Sequence, residues 1–287
     1  MPVNISTQKI IFIGAGSMAE AIIRGLLQKE KIEPKSILAI NRSNQAKLNQ
    51  LQAQYKIQVG SIGDLLPETL QAADIVVLAM KPKDAAQAIT QLQHTLRPDQ
   101  LLISLIAGLS IQTIEALLQH PSSIARTMPN TSSSIGLGAT GISFSSSTEP
   151  NQQKLAIEIF ASVGEVFEVE EAQLDILTGV SGCGPAYVYY LMEAMMAGGI
   201  QGGLSAEMAR DLTIQTVIGA AAMVKATEIE PAILRKNVTS PNGATQAAIQ
   251  TLDDFNFTEA VEKAVLRASE RSNELGVMIA AEAMKRS

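Results

Sequence analysis

Side chains suited to nucleophilic or metal chemistry are scarce in this chain of 287 residues, which holds one cysteine, Cys183, and two histidines, His94 and His120. Both histidines fall near predicted helix ends, where solvated or capping roles are ordinary. Cys183 has no histidine or other base close in sequence to generate a thiolate, so it is not read as a nucleophile. A single cysteine gives neither a disulfide framework nor a cysteine metal site, and no metal ligand set is predicted. What remains are glycine turns, hydroxyls and amides, and a few stretches concentrate them.

The first is Gly14-Ala15-Gly16-Ser17-Met18-Ala19, a G-x-G-x-x-A turn between the apolar run Ile10–Ile13 and a predicted helix from Met18 to Leu27. Gly14 permits the tight turn, Gly16 leaves room for a pyrophosphate, and Ala19 allows close helix–strand packing. The phosphates would lie on the helix N-terminus, where free N–H groups and the dipole favour negative charge. A purely structural glycine turn is the alternative. The second stretch, Asn41-Arg42-Ser43, ends the next predicted strand, where dinucleotide folds read the adenosine ribose. An acid there would bind ribose hydroxyls and repel a 2′-phosphate. Here stand an amide, a guanidinium and a hydroxyl, which suit a phosphate and predict NADPH ahead of NADH. The alternative is an exposed loop arginine.

The third stretch runs from Lys236 and Asn237 through Ser240-Pro241-Asn242-Gly243-Ala244-Thr245 and opens a helix over 243–252. Small residues there bring backbone N–H groups to a helix N-terminus, an anion site suited to a carboxylate. Thr245 on the first turn could aim its hydroxyl at a substrate atom; an ordinary capping loop is equally open. A further run, Leu177 to Tyr187, holds Cys183 among glycines that permit close approach, with Pro185 suited to a first helical position.

These stretches need a scaffold, and the pattern supplies one. Strands are predicted at 36–40, 73–79, 101–105, 123–126, 141–144 and 165–169, with helices at 45–55, 83–94, 110–119 and 151–163. Such alternation argues for a doubly wound, mostly parallel sheet. Met80-Lys81-Pro82 closes the strand at 73–79, at the end where α/β sheets place ligands. Beyond about residue 172 strand signals vanish, and helices are predicted at 172–180, 185–200, 205–227, 230–236, 243–252 and 258–283. The fold class is therefore α/β, an N-terminal Rossmann-like sheet over 1–170 followed by an all-α domain over 171–287. Several of the later helices are apolar nearly all round, as at Ala194-Met195-Met196-Ala197. They ask for partners on every side and predict a homo-oligomer.

Hydrophobic content of 46% against 17% charged residues excludes a disordered chain. A net charge of −6 without a basic run excludes a nucleic-acid partner. The most apolar run, Ala186 to Ile200, is too short for a bilayer and contains Glu193. No secretory pattern is visible, so a cytoplasmic setting is expected.

Taken together, the chain resembles the pyrroline-5-carboxylate reductases along essentially its whole length. The resemblance rests on Phe12 to Ala19, Asn41-Arg42, Ala79 to Pro82, Arg126-Thr127-Met128-Pro129-Asn130, Ser181 to Tyr187, and Val238 to Thr245. Cys183 stands where the family usually has serine, and Asn242 where its pattern has the first of two glycines. The resemblance implies hydride reduction of Δ1-pyrroline-5-carboxylate, a small cyclic imine, to L-proline. It implies that Thr245 hydrogen-bonds the ring nitrogen and is the candidate proton donor, while Ser240, Gly243 and Ala244 shape the carboxylate site. Glu228 and Asn237 would face the imine from a neighbouring helix. Ala79, Met80, Lys81, Pro82, Ala107 and Gly108 would line the cofactor's ribose and nicotinamide, and the helical domains would pair into dimers or rings of dimers. A β-hydroxyacid dehydrogenase, the competing enzyme reading, needs a lysine on the helix after a glycine-rich turn, and here none follows Gly184 until Lys225. A nucleotide-binding relative without turnover is the non-enzyme reading.

Overall fold

A computed structural model describes residues 4–64 and 66–284; the ends of the expected domains, 1–3 and 285–287, lie outside that range. Chain packing divides into two units, residues 1–183 together with 267–287, and residues 184–266.

The first unit is built on an eight-stranded sheet. Its strands are β1 (Ile10–Ile13), β2 (Ile37–Asn41), β3 (Gln58–Ser61), β4 (Ile75–Leu78), β5 (Leu101–Ser104), β6 (Ser123–Met128), β7 (Gly138–Phe144) and β8 (Gly164–Glu168). They lie in the order β3-β2-β1-β4-β5-β6-β7-β8. Ile10 registers with Ile37 on one side and Ile75 on the other, both pairings parallel. β1 and β4 therefore meet where the winding reverses.

Each strand at the centre is buried along its length because both faces are covered. Ile10 and Phe12 pack with Ile22, Ile23 and Leu26 of α1 (Ser17–Gln28), Leu48 and Leu51 of α2 (Gln45–Tyr55), and Phe160 of α6 (Pro150–Ala161). Ile11 and Ile13 face the opposite layer, with Ile89 of α4 (Pro82–Leu92) and Ile114 of α5 (Ile111–Leu118). A short α3 (Pro67–Gln71) adds Leu70 to that layer.

Two features depart from a plain repeat. β7 runs antiparallel to β6. The link between them has only a short 3₁₀ turn, Thr131–Ile135, too little chain for the crossover helix that parallel strands need. The helix predicted over 172–180 is helical but not uniform: a 3₁₀ turn over Glu171–Gln173 leads into α7 (Leu174–Leu177), which widens over Thr178–Gly182. There the Cys183 N–H reaches back five residues to the Thr178 carbonyl at 2.8 Å. Asn130 Nδ2 donates to the Ser181 carbonyl at 3.0 Å, and Gly182 leaves space that the Met128 methyl fills.

The second unit is helical: α8 (Gly184–Gln201), α9 (Ala206–Thr227), α10 (Pro231–Asn237), α11 (Ala244–Asp254) and the start of α12 (Phe257–Met284). α8 and α9 pack closely where Gly199 faces Ala209. From Arg267 onward α12 belongs to the first unit. No helix among the described residues is long and apolar enough to cross a membrane.

Candidate functional site

The C-terminal ends of β1, β2 and β4 open into a cleft of about 450 Å³ at the reversal of the sheet. Its lining includes Gly14, Ala15, Gly16, Asn41, Arg42, Ser43, Ala79, Met80 and Lys81, so nine of the predicted cofactor residues converge on one space. Ser17 and Met18 follow directly as the first residues of α1, and Pro82 opens α4 after Lys81.

The two glycines of the turn do different work. Gly14 has φ +108°, and a side chain on it would sit 2.4 Å from the Ala79 carbonyl oxygen. Its N–H donates to the Ile40 carbonyl at 2.9 Å and the Ala79 N–H to the Ile13 carbonyl at 2.8 Å, which ties the three strand ends together. The fold itself requires that glycine. Gly16 precedes α1 with extended backbone and no side-chain cap, and a Cβ there would meet nothing within 4 Å. Nothing in the chain demands a glycine at 16; open space in front of uncapped helix N–H groups is what a diphosphate needs.

At the ribose end, Asn41 Oδ1 accepts from the N–H groups of Ser43 and Asn44 at 3.2 and 3.3 Å, folding the loop after β2. Arg42 projects from that loop, and its Nη1 lies 2.9 Å from Asp84 Oδ1 on the first turn of α4. Asp84 was not among the predicted residues. Its sign in the sequence is an acid just after a Pro at a helix start, but its partner lies 42 positions away.

Ala107-Gly108 lies outside the cleft lining, at the turn after β5. Gly108 has φ +76° and meets the backbone of Ser272 and Gly276 on α12 so closely that neither glycine leaves room for a side chain. Gly276 also escaped the sequence reading; its signal is a lone glycine inside a helical pattern. Beside it, buried Arg126 lies 3.0 Å from Glu171 and 3.4 Å from Asp175, and the Ser272 hydroxyl donates to Asp175 at 2.7 Å. Glu171 also accepts the Ile111 N–H at 2.8 Å. The buried cation is thus fully paired, as burial requires, and it joins β6, α7, α5 and α12.

The predicted substrate residues all lie in the second unit. Ser240, Gly243, Ala244 and Thr245 lie within one six-residue stretch, Gly243 preceding α11 with no side-chain cap. Glu228 follows α9 in the left-handed region, and Asn237 ends α10. Asn242 adopts φ +60°, a conformation glycine favours and asparagine tolerates better than most residues. Several threonines deeper in helices bond back to a carbonyl four residues earlier, Thr216 to Leu212 and Thr251 to Ala247 among them. Thr245 stands too early in α11 for that, and its exposed hydroxyl has no partner among the described residues.

Residues 171–275 match the family model described as pyrroline-5-carboxylate reductase dimerisation, and residues 9–108 the one described as NADP oxidoreductase, coenzyme F420-dependent. The chain is 42% identical to pyrroline-5-carboxylate reductase 1 of Bacillus spizizenii over 268 residues, 93% of this chain and 89% of that protein. It belongs to the pyrroline-5-carboxylate reductase family. Among solved structures, the family's Plasmodium falciparum member with NADP bound is 30% identical, with a TM-score of 0.86, covering 95% of this chain and 100% of that one. The Coxiella burnetii member is 38% identical, with a TM-score of 0.84, covering 94% and 98%. The competing dehydrogenase reading is thereby set aside. Within that family, the departure at Asn242 puts asparagine in a left-handed conformation that it tolerates better than most residues other than glycine. At the other departure, Cys183 is a half-buried free thiol after the widened turn. His94 is exposed, and His120 Nδ1 lies 3.0 Å from both the Pro121 carbonyl and the Ser122 hydroxyl in a loop.

Proposed function

We propose that this chain reduces Δ1-pyrroline-5-carboxylate to L-proline with NADPH, and with NADH as a second reductant. The reading is carried by one observation: a dinucleotide cleft with open space at Gly16 shares a chain of this family with Thr245, an uncommitted hydroxyl on an uncapped helix turn. When bound, the nicotinamide supplies a hydride to the imine carbon.

The chain's own residues bind and orient. Gly14 to Met18 and the start of α1 take the pyrophosphate. Asn41, Arg42 and Ser43 take the adenosine ribose and its 2′-phosphate, Arg42 through charge-assisted bonds. Ala79 to Pro82 and Ala107-Gly108 border the nicotinamide and its ribose. On the second unit, the free N–H groups after Gly243, with Ser240 and Ala244, hold the substrate carboxylate. Thr245 hydrogen-bonds the ring nitrogen and aligns it first; where that nitrogen is still an unprotonated imine, the hydroxyl donates to it and relays a proton from water, because an aliphatic hydroxyl is itself a weak acid. Glu228 and Asn237 flank the imine. An iminium is electrophilic without further activation, so alignment of donor and acceptor is the main task left to the protein.

The domain reading of 1–170 and 171–287 treats the first part as the nucleotide module and the second as the pairing and substrate module. We place the reaction in the cytoplasm; a chain with one cysteine has no internal disulfide to maintain there. The test is NADPH oxidation with pyrroline-5-carboxylate, followed by loss of the reduced-nicotinamide absorbance. Saturable turnover is expected. NADPH binding without turnover would favour a nucleotide-binding protein that has kept the fold alone.

A further inference from the structure

We propose that Asp84 sets how strictly the nucleotide cleft demands a 2′-phosphate, weakening that demand and admitting the unphosphorylated cofactor. The inference rests on the nucleotide reading of the cleft above. The end of β2 lacks the acid that would bind ribose hydroxyls, but the fold supplies one from another element. Asp84 lines the same cleft as Arg42 and touches it at 2.9 Å.

The two partners are held unequally. Asp84 is the third residue of α4, behind a proline, where a helix N-terminus stabilises a negative charge. Its side chain is 29% exposed, against 64% for Arg42, which stands on the loop after β2. The carboxylate is the fixed group and the guanidinium the adjustable one. Their contact uses one terminal nitrogen of Arg42, and among the described residues the other donors of the guanidinium have no partner, so they can meet a phosphate.

A 2′-phosphate gathered by Arg42 then stands on a cation that already serves a carboxylate, and the two anions repel. A ribose with its 2′-hydroxyl free finds an acceptor in the same carboxylate, the role that acids at the end of β2 play in NAD-binding folds. Lys81 and Lys83 also line the cleft. Three cations against one carboxylate keep the site attractive to phosphate, so Asp84 tunes the preference without reversing it. An exposed ion pair adds little rigidity of its own, and its loss should not misplace Arg42 enough to offset the relief of repulsion.

The experiment is calorimetric binding of adenosine 2′,5′-bisphosphate and of AMP, which differ only by the 2′-phosphate, to the full-length chain. The ratio of their dissociation constants measures discrimination. Asp84→Asn, nearly isosteric, is expected to raise that ratio about fivefold, from tighter bisphosphate and weaker AMP binding, and Asp84→Ser, which keeps a small polar group on the first turn, to do the same. The ratio of kcat/KM for NADPH over NADH should move with it. A ratio that stays within twofold, or falls, in both variants overturns the role of Asp84, a fall meaning that it merely holds Arg42 in place. Bisphosphate that does not bind the unmodified chain, or that Arg42→Ala does not weaken, brings down the nucleotide reading and this inference together.

Discussion

The two units of the chain differ in whether they complete their own cores. In the first, the central strands are buried along their length between two helical layers. In the second, Ala209 is the only hydrophobic residue buried among those described, while Tyr190, Met208, Leu212, Met223 and Phe255 lie more than half exposed. Composition does not separate them, since both are rich in apolar residues. Geometry does. A sheet wound on both faces encloses a hydrophobic layer on each side within one chain, whereas apolar-all-round helices have no such enclosure. On α9, Ala209 and Thr213 are buried on one face, while Met208, Leu212 and Met223, with Gly219 between them, form a stripe on another. The match of 171–275 to a dimerisation family accounts for that surface: another copy completes the core, and the protein is a homo-oligomer. The first unit's stability is then its own, and the second unit's depends on protomer concentration.

The largest expected effect attacks that asymmetry at the stripe. Leu212→Glu places a charge in each copy of the pairing surface, at about 2 kcal/mol or more per copy. A twofold pair counts it twice, so the dissociation constant should rise by about a thousandfold. Light scattering across a dilution series reads it as loss of the oligomer at concentrations where the unmodified chain stays assembled. Binding of adenosine 2′,5′-bisphosphate to the first unit should survive. A variant that stays fully assembled at low concentration would show that the stripe is not the pairing face.

The converse change leaves assembly alone. Gly14→Ala forces a side chain into the left-handed region and against the Ala79 carbonyl. Strain and overpacking together should cost about 3 kcal/mol of first-unit stability, read by denaturant melting, with the oligomer's mass unchanged.

How far the sequence carries one also differs between local and long-range features. Ile10–Ile13 with Gly14 and Gly16 announces strand, turn and helix because each signal lies within a dozen residues of the next, and the same holds for Pro82 at the start of α4. The antiparallel β7 was legible only as a strand, since its direction follows from a link too short for a crossover. Arg42 with Asp84, and Gly108 with Gly276, were not legible at all. Each pair consists of ordinary surface or loop residues until the fold brings them together. Thr245 lies between these cases. Its place on a helix start was readable from Pro241 to Ala244, but its chemistry came from a resemblance, and its free hydroxyl became visible only against the other threonines.

That free hydroxyl separates function from stability in the second unit. Thr245 is exposed and makes no hydrogen bond among the described residues, so Thr245→Ala should leave both melting and assembly unchanged. Turnover should fall at least tenfold, about 1.4 kcal/mol in the barrier. Unchanged turnover removes Thr245 from the mechanism.

The smallest expected effect makes the same separation in the first unit. Gly16 precedes α1 with extended backbone and open space around its Cα, so no clash opposes a side chain. Threonine caps helices about as well as glycine, and Gly16→Thr should therefore hold stability within about 0.5 kcal/mol of the unmodified chain. Its methyl and hydroxyl nevertheless occupy the space in front of the α1 N–H groups. NADPH affinity should fall about fivefold, close to 1 kcal/mol, with the oligomer intact. Set beside Gly14→Ala, the two substitutions distinguish a glycine the fold needs from one the ligand needs, two residues apart on one turn. If Gly16→Thr melts the first unit as Gly14→Ala does, the open space at Gly16 belongs to the fold after all, and the assignment of the pyrophosphate to that turn loses its structural support.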